Sequence, residues 1–295
     1  MAIIEVPNKY LELGPLVITS PTTRCGTTLV LRLVTNSDNA FVYGEEIGRQ
    51  IINLTDQMLH VLKYCEDNEA DLNAAFSLAM NGALTDWRPE LAPPPEVMIK
   101  AWIETYYQLP NLLDAFGKAV GRPTWGFKWP GMSMPVAVAL LSLMPRARVI
   151  YVTRQPAAAL KSAKARRFVR TDGQAGAFCA QWAGNLEAFL ALREDPRILW
   201  LRYEDLIAEK ARTLDRIAAF AGIEGMRITE FDVKVNTGDG MPEEGFSPTR
   251  YIDPAELTDN DLEALQTHTA QLVARLYPDL EIAEPSPRSG SAAAG

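Results

Sequence analysis

Five short apolar runs, separated by segments with helical periodicity, constrain the fold more than any other feature of this sequence. Each run has five or six residues, mostly aliphatic, β-branched or aromatic, which is typical of strands buried on both faces of a parallel sheet. Alternation of such strands with helices predicts an α/β fold in three layers, with helices on both faces of a central parallel sheet. The runs are LVITS (16–20), AFVYG (40–44), TWGFK (124–128), RVIYVT (148–153) and ILWLRY (198–203).

Helical patterns occupy most of the intervals between these runs. The last of them ends at Gly222, a residue type that often caps a helix C-terminus. A further long helix is predicted over 255–275, and it or the helix at 97–120 could form the interface of a homodimer. The predicted helices between the strands cover 27–34, 47–64, 97–120, 132–144, 156–170, 175–193 and 209–221.

Residues 50–120 are predicted to form a mostly helical cap or insertion over the carboxyl edge of the sheet. Ligands of open α/β sheets bind at that edge. The segment carries Trp87, Trp102, Tyr106 and Tyr107. These aromatic side chains either line a substrate pocket or only pack the helices together, and the sequence leaves both interpretations open.

The length allows one large domain or two small ones, and we expect a single domain over 1–283, followed by a low-complexity tail over 284–295 that is expected to be disordered. The 295 residues are 47 % apolar, enough for a sizeable core. The three cysteines show no CxxC spacing, and only His60 and His268 are histidines, so the pattern predicts neither a disulfide framework nor a metal site.

The charge balance excludes some classes of protein. A formal net charge of −8 argues against a bulk nucleic-acid binder, although an acidic chain can still carry a local basic pocket for an anion. The N-terminus lacks the pattern of a signal peptide, and no apolar run reaches the ~20 residues of a membrane helix. We therefore expect a cytoplasmic protein without a membrane span.

The stretch TSPTTRCGTTLV (19–30) combines the features of an anion-binding loop. A helix N-terminus that follows a tight turn presents backbone N–H groups and a positive dipole end. Gly26 lets the backbone approach a ligand closely, Thr27 and Thr28 add hydroxyl donors, and Arg24 adds a forked charge. The Gly-Lys pair of the nucleoside triphosphate loop GxxxxGK[ST] is missing, which argues against a P-loop kinase or NTPase.

The segment TTRCGTTLVLRLV resembles the 5′-phosphosulfate loop of the sulfotransferase superfamily, whose fold is P-loop-like. The resemblance implies that Arg24, Cys25, Gly26, Thr27 and Thr28 bind 3′-phosphoadenosine 5′-phosphosulfate (PAPS), with Arg24 at the family's basic position. Cys25 departs from the usual serine, and a thiol is a weaker hydrogen-bond donor than a hydroxyl.

Two further motifs follow in the family's order, and together the matches span roughly residues 15 to 210. RVIYVTRQPAAALKS (148–162) resembles the 3′-phosphate site, which implies that Arg154 and Ser162 hold that phosphate, although Gln155 replaces the usual Asp or Asn. LRYEDL (201–206) resembles the family's RYEDL, which implies that Tyr203 lies near the adenine.

The resemblance also implies the catalytic residues. Lys128, at the end of WGFK, matches the family's lysine at the bridging oxygen. The histidine base of many cytosolic members is replaced by Pro130, whereas FVYGEEIGR matches the glutamate base of the carbohydrate and protein-tyrosine enzymes. The alignment favours Glu46 as the base and leaves Glu45 open. His60 is a distant alternative.

We therefore predict a sulfotransferase that moves a sulfuryl group from PAPS to an acceptor hydroxyl, of a small molecule or a glycan. Arg250, in FSPTRYIDP, matches a loop that closes over the nucleotide and could bind the 3′-phosphate. Two alternatives remain, namely an inactive protein that binds PAPS or its product adenosine 3′,5′-bisphosphate (PAP), and a P-loop kinase.

Overall fold

The computed structural model describes residues 6–232 and 254–278, and a five-stranded sheet forms its centre. The order of strands is β2-β3-β1-β4-β5, and every neighbouring pair is parallel, so the predicted α/β fold with a central parallel sheet is confirmed. Each predicted apolar run forms a strand. The strands are β1 (Leu16–Thr19), β2 (Ala40–Tyr43), β3 (Thr124–Lys128), β4 (Arg148–Thr153) and β5 (Ile198–Arg202).

The helices lie between the strands and after the last one. The segment predicted as one helix at 209–221 belongs to a pair of helices, because a short helix precedes it directly after β5. The helices of the described residues are α1 (Thr27–Thr35), α2 (Glu45–Asp67), α3 (Glu69–Met80), α4 (Pro95–Ala119), α5 (Met134–Leu143), α6 (Pro156–Ala165), α7 (Asp172–Leu190), α8 (Tyr203–Ala208), α9 (Lys210–Ala221) and α10 (Asp259–Leu276).

Two hydrophobic cores, one on each face of the sheet, produce the three layers. Successive strand residues point to opposite faces, so Val17 enters the core that contains α2, α4, α5, α6, α7 and α10, whereas Ile18 enters the core that contains α1 and α9. Both side chains are fully buried. Burial on both faces explains why the inner strands β1, β3 and β4 read as continuous apolar runs.

The region 50–120 is helical, as predicted, and consists of most of α2 together with α3 and α4. Tyr106 and Tyr107 are completely buried: Tyr107 stacks on Tyr10 with ring centroids 4.2 Å apart, and Tyr106 packs edge-on against Tyr107. These contacts fit the packing interpretation of both tyrosines. Trp87, between α3 and α4, is 86 % exposed.

The placement of this region over the carboxyl edge of the sheet stays a prediction. Helix α2 begins at that edge, since a Cβ on Gly48 would lie 2.5 Å from the carbonyl oxygen of Lys128. Near its other end, α4 packs against the amino end of β3, where a Cβ on Gly117 would lie 2.7 Å from the carbonyl oxygen of Arg122.

Helix α10 is attached to α6 by a buried ion pair between Asp261 and Lys164. Asp261 is fully buried, and its Oδ2 accepts hydrogen bonds from the backbone N and the side-chain Oγ1 of Thr258 at 2.8 and 2.9 Å. Burial alone would raise the pKa of Asp261, but the bonds from Lys164 and Thr258 outweigh it and lower that pKa. Asp261 is therefore ionised at neutral pH, and the pair stabilises the position of α6.

Two predictions lie outside the described residues, namely the role of Arg250 and the disordered tail over 284–295. They stay predictions. Among the helices of residues 6–232 and 254–278, none has the length and apolar character needed to cross a membrane.

Candidate active site

The loop after β1 has the backbone shape of an anion-binding loop. Gly26 is the residue before α1 and has a φ of +101°, and Arg24 has a φ of +68°. A positive φ in a residue other than glycine is strained and is concentrated at functional sites. The first N–H groups of a helix generally lack partners within the helix, so the start of α1 can offer donors to an anion here, and the binding role of residues 24–28 stays a prediction.

Gly26 also lies against Tyr203, the tyrosine of the RYEDL-like segment. A Cβ on Gly26 would stand 2.3 Å from Cδ2 of Tyr203, well inside any tolerable contact distance. The first and third motifs of the sequence therefore meet directly, although 177 positions (203 − 26) separate them.

We expect Gly26→Ala to weaken PAP binding at least tenfold and to lower the free energy of unfolding by about 1–2 kcal/mol, because the left-handed backbone is strained for alanine and Tyr203 must move. Titration calorimetry and urea denaturation measure the two effects. Gly184→Ala, at an exposed position of α7 with open space around the new Cβ, should leave PAP binding unchanged. Equal PAP affinities for the Gly26 variant and the native chain would contradict the expectation.

The predicted 3′-phosphate residues meet the loop as well. Arg154 Nη1 donates to the carbonyl oxygen of Arg24 at 3.1 Å, and the Arg154 guanidinium stacks over the Tyr203 ring at 4.4 Å. Arg24 Nε donates to Ser162 Oγ at 3.2 Å. The structure therefore brings four predicted side chains, those of Arg24, Arg154, Ser162 and Tyr203, into one connected group.

Helix α7 and Glu204 hold the backbone on which this group of side chains is mounted. Asn185 Nδ2 donates to the carbonyl oxygen of Pro21 at 2.8 Å, and Trp182 Nε1 donates to that of Arg154 at 3.1 Å. The backbone N–H of Gln155 donates to Glu204 Oε1 at 2.9 Å. The family's second and third motifs are thus joined through a backbone contact that does not need an Asp or Asn at position 155.

Cys25, at the position of the family's usual serine, faces inward. Its side chain is fully buried, and its sulfur lies 3.7 Å from Thr22 Oγ1 and 3.8 Å from the carbonyl oxygen of Thr23. Burial raises the pKa of the Cys25 thiol to about 11. The thiol is therefore neutral and packs beneath the loop, so a contribution of Cys25 to an anion must come from its backbone N–H.

Lys128 lies at the end of β3, beside the start of α1. Its Nζ donates to Thr28 Oγ1 at 3.1 Å and forms an ion pair with Glu45 Oε1 at 2.7 Å. The Lys128 side chain is only 11 % exposed, whereas that of Glu45 is 51 % exposed. Lys128 thus connects the anion-binding loop to a carboxylate that is open to a second molecule.

The two adjacent glutamates differ in their surroundings. Glu46 accepts hydrogen bonds from Arg49 at 2.6 and 2.7 Å and from Gln50 at 3.0 Å, and its side chain is 67 % exposed. These bonds, led by the one from Arg49, lower the pKa of Glu46. Glu45 therefore contacts Lys128. Glu46, the residue that the motif alignment favours as the base, contacts Arg49 and Gln50 of its own helix instead.

Three supporting residues were not singled out from the sequence. Gly48 allows α2 to approach Lys128, Asn185 holds the loop, and Glu204 holds the backbone after Arg154. Only Glu204 had a signal in the sequence, because it belongs to the RYEDL-like segment. Gly48 and Asn185 could not be recognised from the sequence, because a glycine or an asparagine within a helix gives no sign of the residues that it contacts.

The site is therefore that of an α/β protein with an anion-binding loop, a pair of converging arginines and a buried lysine at one edge of a parallel sheet. The sequence model of the family described as "Sulfotransferase family" matches residues 15–227. The chain belongs to this family and is a sulfotransferase, which confirms the class predicted from the motifs, a PAPS-dependent enzyme.

Solved structures show a more distant similarity. The sulfotransferase domain of the olefin synthase from Synechococcus PCC 7002 is 17 % identical, with 89 % of this chain and 97 % of that chain covered and a TM-score of 0.47. Sulfotransferase STF9 from Mycobacterium avium is 15 % identical, over 93 % and 79 % of the two chains, with a TM-score of 0.43. Mouse sulfotransferase SULT7A1, complexed with PAP, is 11 % identical over 80 % and 71 %, with a TM-score of 0.42. A search of curated protein sequences found no match.

The residues present fit a ligand with two anionic ends. Arg154 Nε is buried and has no hydrogen-bond partner within residues 6–232 and 254–278, and a buried charged donor without a partner is costly. Around it the loop offers donors of hydrogen bonds and positive charge, namely Arg24, Ser162 and the start of α1. This set of donors suits the phosphate groups of PAPS.

Proposed function

We propose that this protein transfers a sulfuryl group from PAPS to a hydroxyl group of a small-molecule acceptor, with Glu45 as the general base. The contact between Glu45 and Lys128, next to Thr28 of the loop, carries the proposal. It places an accessible carboxylate and a buried cation side by side at the end of the anion-binding loop.

The proposed binding roles follow from the contacts of each side chain. Arg154 and Ser162 would hold the 3′-phosphate, and the start of α1 with Arg24, Thr27 and Thr28 would hold the 5′-phosphosulfate end. Arg24 reaches Ser162, so it lies between the two groups of donors. Tyr203, already stacked on Arg154, offers its ring to the adenine.

The proposed role of Lys128 is electrostatic. Bound PAPS supplies an activated sulfuryl group whose leaving group is a stable phosphate anion. Lys128 Nζ, in a largely buried position, would stabilise the negative charge that develops on the bridging oxygen. Thr28 Oγ1 accepts one hydrogen bond from Nζ and orients it toward the loop.

The proposed role of Glu45 is to accept the proton of the acceptor hydroxyl at a carboxylate oxygen. Half of its side chain is exposed, so an acceptor can reach it, and the Lys128 contact fixes its direction. Glu46 is the weaker candidate. Arg49 and Gln50 already occupy its oxygens, and a lowered pKa makes a carboxylate a weaker base.

The class of acceptor is inferred from charge. Residues 50–120 contain no cluster of basic side chains that could bind a highly charged glycan. An uncharged or weakly charged small alcohol fits this composition better, and a glycan hydroxyl is the second candidate.

The test is calorimetric titration with PAP, with and without EDTA, for the native chain and for Arg154→Ala. We expect binding that does not depend on metal, and a loss of about 2 kcal/mol or more in the variant, since a charge-assisted contact to phosphate is removed. Arg148→Ala is the matched control, because Arg148 begins the strand that ends just before Arg154, and its Nη1 donates to the Phe220 carbonyl rather than to a residue of the site.

The alternatives give different outcomes in the same experiment. A kinase would bind ATP with magnesium rather than PAP. An inactive binding protein would bind PAP but consume no PAPS with any hydroxyl acceptor. A native chain that does not bind PAP would reject the proposed function.

A further inference from the structure

A cavity lies at the edge strand β5, and its lining contains none of the residues assigned to the active site. Its volume is about 280 Å³, and among the strands of residues 6–232 and 254–278, β5 has no neighbour on this side. Arg202 belongs to its wall, whereas the next residue, Tyr203, contacts Arg154 and Gly26. Arg202 is the last residue of β5 and lines the edge cavity, whereas Tyr203 is the first residue of α8 and faces the anion-binding loop.

The floor and walls of this edge cavity are largely apolar and aromatic. Trp200 packs against Tyr151 with ring centroids 4.7 Å apart, and Tyr277, only 1 % exposed, closes the cavity from the end of α10. Burial raises the pKa of Tyr277, so its phenol is neutral. The apolar remainder is supplied by Leu186, Leu190, Leu201 and Leu276.

Three arginines surround the apolar floor, namely Arg193, Arg202 and Arg216, with Asp205 as the single carboxylate of the lining. Within the described part of the chain, none of the three guanidinium groups forms an ion pair. The lining therefore has a net charge of +2 (three arginines minus one aspartate) in a protein whose formal net charge is −8.

Two of the three arginines are nonetheless held in place by contacts with the cavity wall. The Arg202 guanidinium stacks over the Tyr277 ring at 4.6 Å, and Arg216 Nη2 donates to the carbonyl oxygen of Trp200 at 3.1 Å. Arg202 Nε and Trp200 Nε1 are buried and lack a hydrogen-bond acceptor among residues 6–232 and 254–278. Buried donors normally have an acceptor, so this arrangement has an excess of donors and positive charge.

From these observations we infer that the edge cavity is a second ligand site, which binds a small organic anion with a flat apolar body, such as an aromatic carboxylate or sulfonate. The aromatic and leucine walls would bury the rings, and the guanidinium groups would bind the anionic group. A volume of about 280 Å³ limits the ligand to one or two rings. The sulfuryl-transfer chemistry uses none of the residues of this lining.

The experiment is calorimetric titration of the full chain, saturated with PAP, with 2-naphthoate and with its neutral analogue 2-naphthamide. We expect 2-naphthoate to bind at least tenfold more tightly than the amide, because only the carboxylate engages the arginines. In Arg193→Ala/Arg216→Ala, which removes two exposed side chains, the affinity for 2-naphthoate should fall at least tenfold.

Two further variants separate the edge cavity from other binding. Leu190→Trp fills the cavity and should abolish binding of 2-naphthoate, whereas Arg212→Ala, on the same helix as Arg216 but 74 % exposed and paired with Glu209, should have no effect. The affinity for PAP, measured in parallel, should be unchanged in all variants. No binding of 2-naphthoate to the native chain, or undiminished binding in the double variant or in Leu190→Trp, would overturn the inference.

Discussion

Replacing Glu45 with glutamine is expected to lower kcat for sulfuryl transfer by a factor of about 10²–10⁴, the range typical for loss of a general base. Glutamine keeps the size of the side chain and can still contact Lys128, but it cannot take a proton from the acceptor hydroxyl. The measurement is the steady-state rate of PAP release with saturating PAPS and a hydroxyl acceptor.

Glu46→Gln is the matched control, because Glu46 is the next residue of the same helix and its side chain is also exposed to solvent. Its kcat should stay within about threefold of the native value, since Glu46 serves only Arg49 and Gln50. A large loss in Glu46→Gln combined with a small one in Glu45→Gln would reverse the proposed assignment. The affinity for PAP should be unchanged in Glu45→Gln, which separates a missing base from a disturbed nucleotide site.

The second large effect is expected for Lys128→Ala, which should lower kcat by a factor of about 10²–10³, the usual effect of removing one electrostatic contact to a developing charge. Because that charge exists mainly in the transition state, the affinity for PAP should change much less than kcat. Single-turnover rates with bound PAPS, together with calorimetry for PAP, provide the two numbers.

Lys128→Arg and Lys63→Ala are the controls for this experiment. Arginine preserves the positive charge and should recover part of the lost rate, whereas an uncharged side chain should not. Lys63 is an exposed lysine of α2 that pairs with Asp67, and its loss should leave kcat unchanged. An equal loss of PAP affinity and of kcat in Lys128→Ala would mean that Lys128 only holds the nucleotide.

The fold was accessible from the sequence because the inner strands β1, β3 and β4 are buried on both faces and the edge strands β2 and β5 are also apolar in sequence. The order of the strands was not accessible, since β3 reaches the side of β1 only after the long helical segment of α2, α3 and α4. The helix predicted over 156–170 ends earlier, at Ala165. Two residues later Arg167 adopts a φ of +60°, which no local residue pattern predicts.

The segments that carry the candidate binding residues could be recognised in the sequence for a similar reason, while their binding roles stay predictions. Arg24, Arg154, Ser162 and Tyr203 belong to short segments whose spacing along the chain reflects their own strand and helix, so each motif carries its local geometry. The tertiary structure adds that they touch one another, and that Glu204 makes an Asp or Asn at position 155 dispensable for holding the backbone there.

The sequence did not show which glutamate is the candidate base, because Glu45 and Glu46 are adjacent and a shift of one residue along α2 exchanges them. Adjacent residues of a helix point about 100° apart, so when α2 packs against Lys128 through Gly48, Glu45 reaches the lysine and Glu46 turns toward Arg49. The sequence by itself determined the strands, the anion-binding loop and the family, since these depend on local periodicity and spacing. Only the tertiary structure decided which glutamate meets Lys128 and that three arginines meet at the edge cavity, because both depend on side chains distant in sequence that packing brings together.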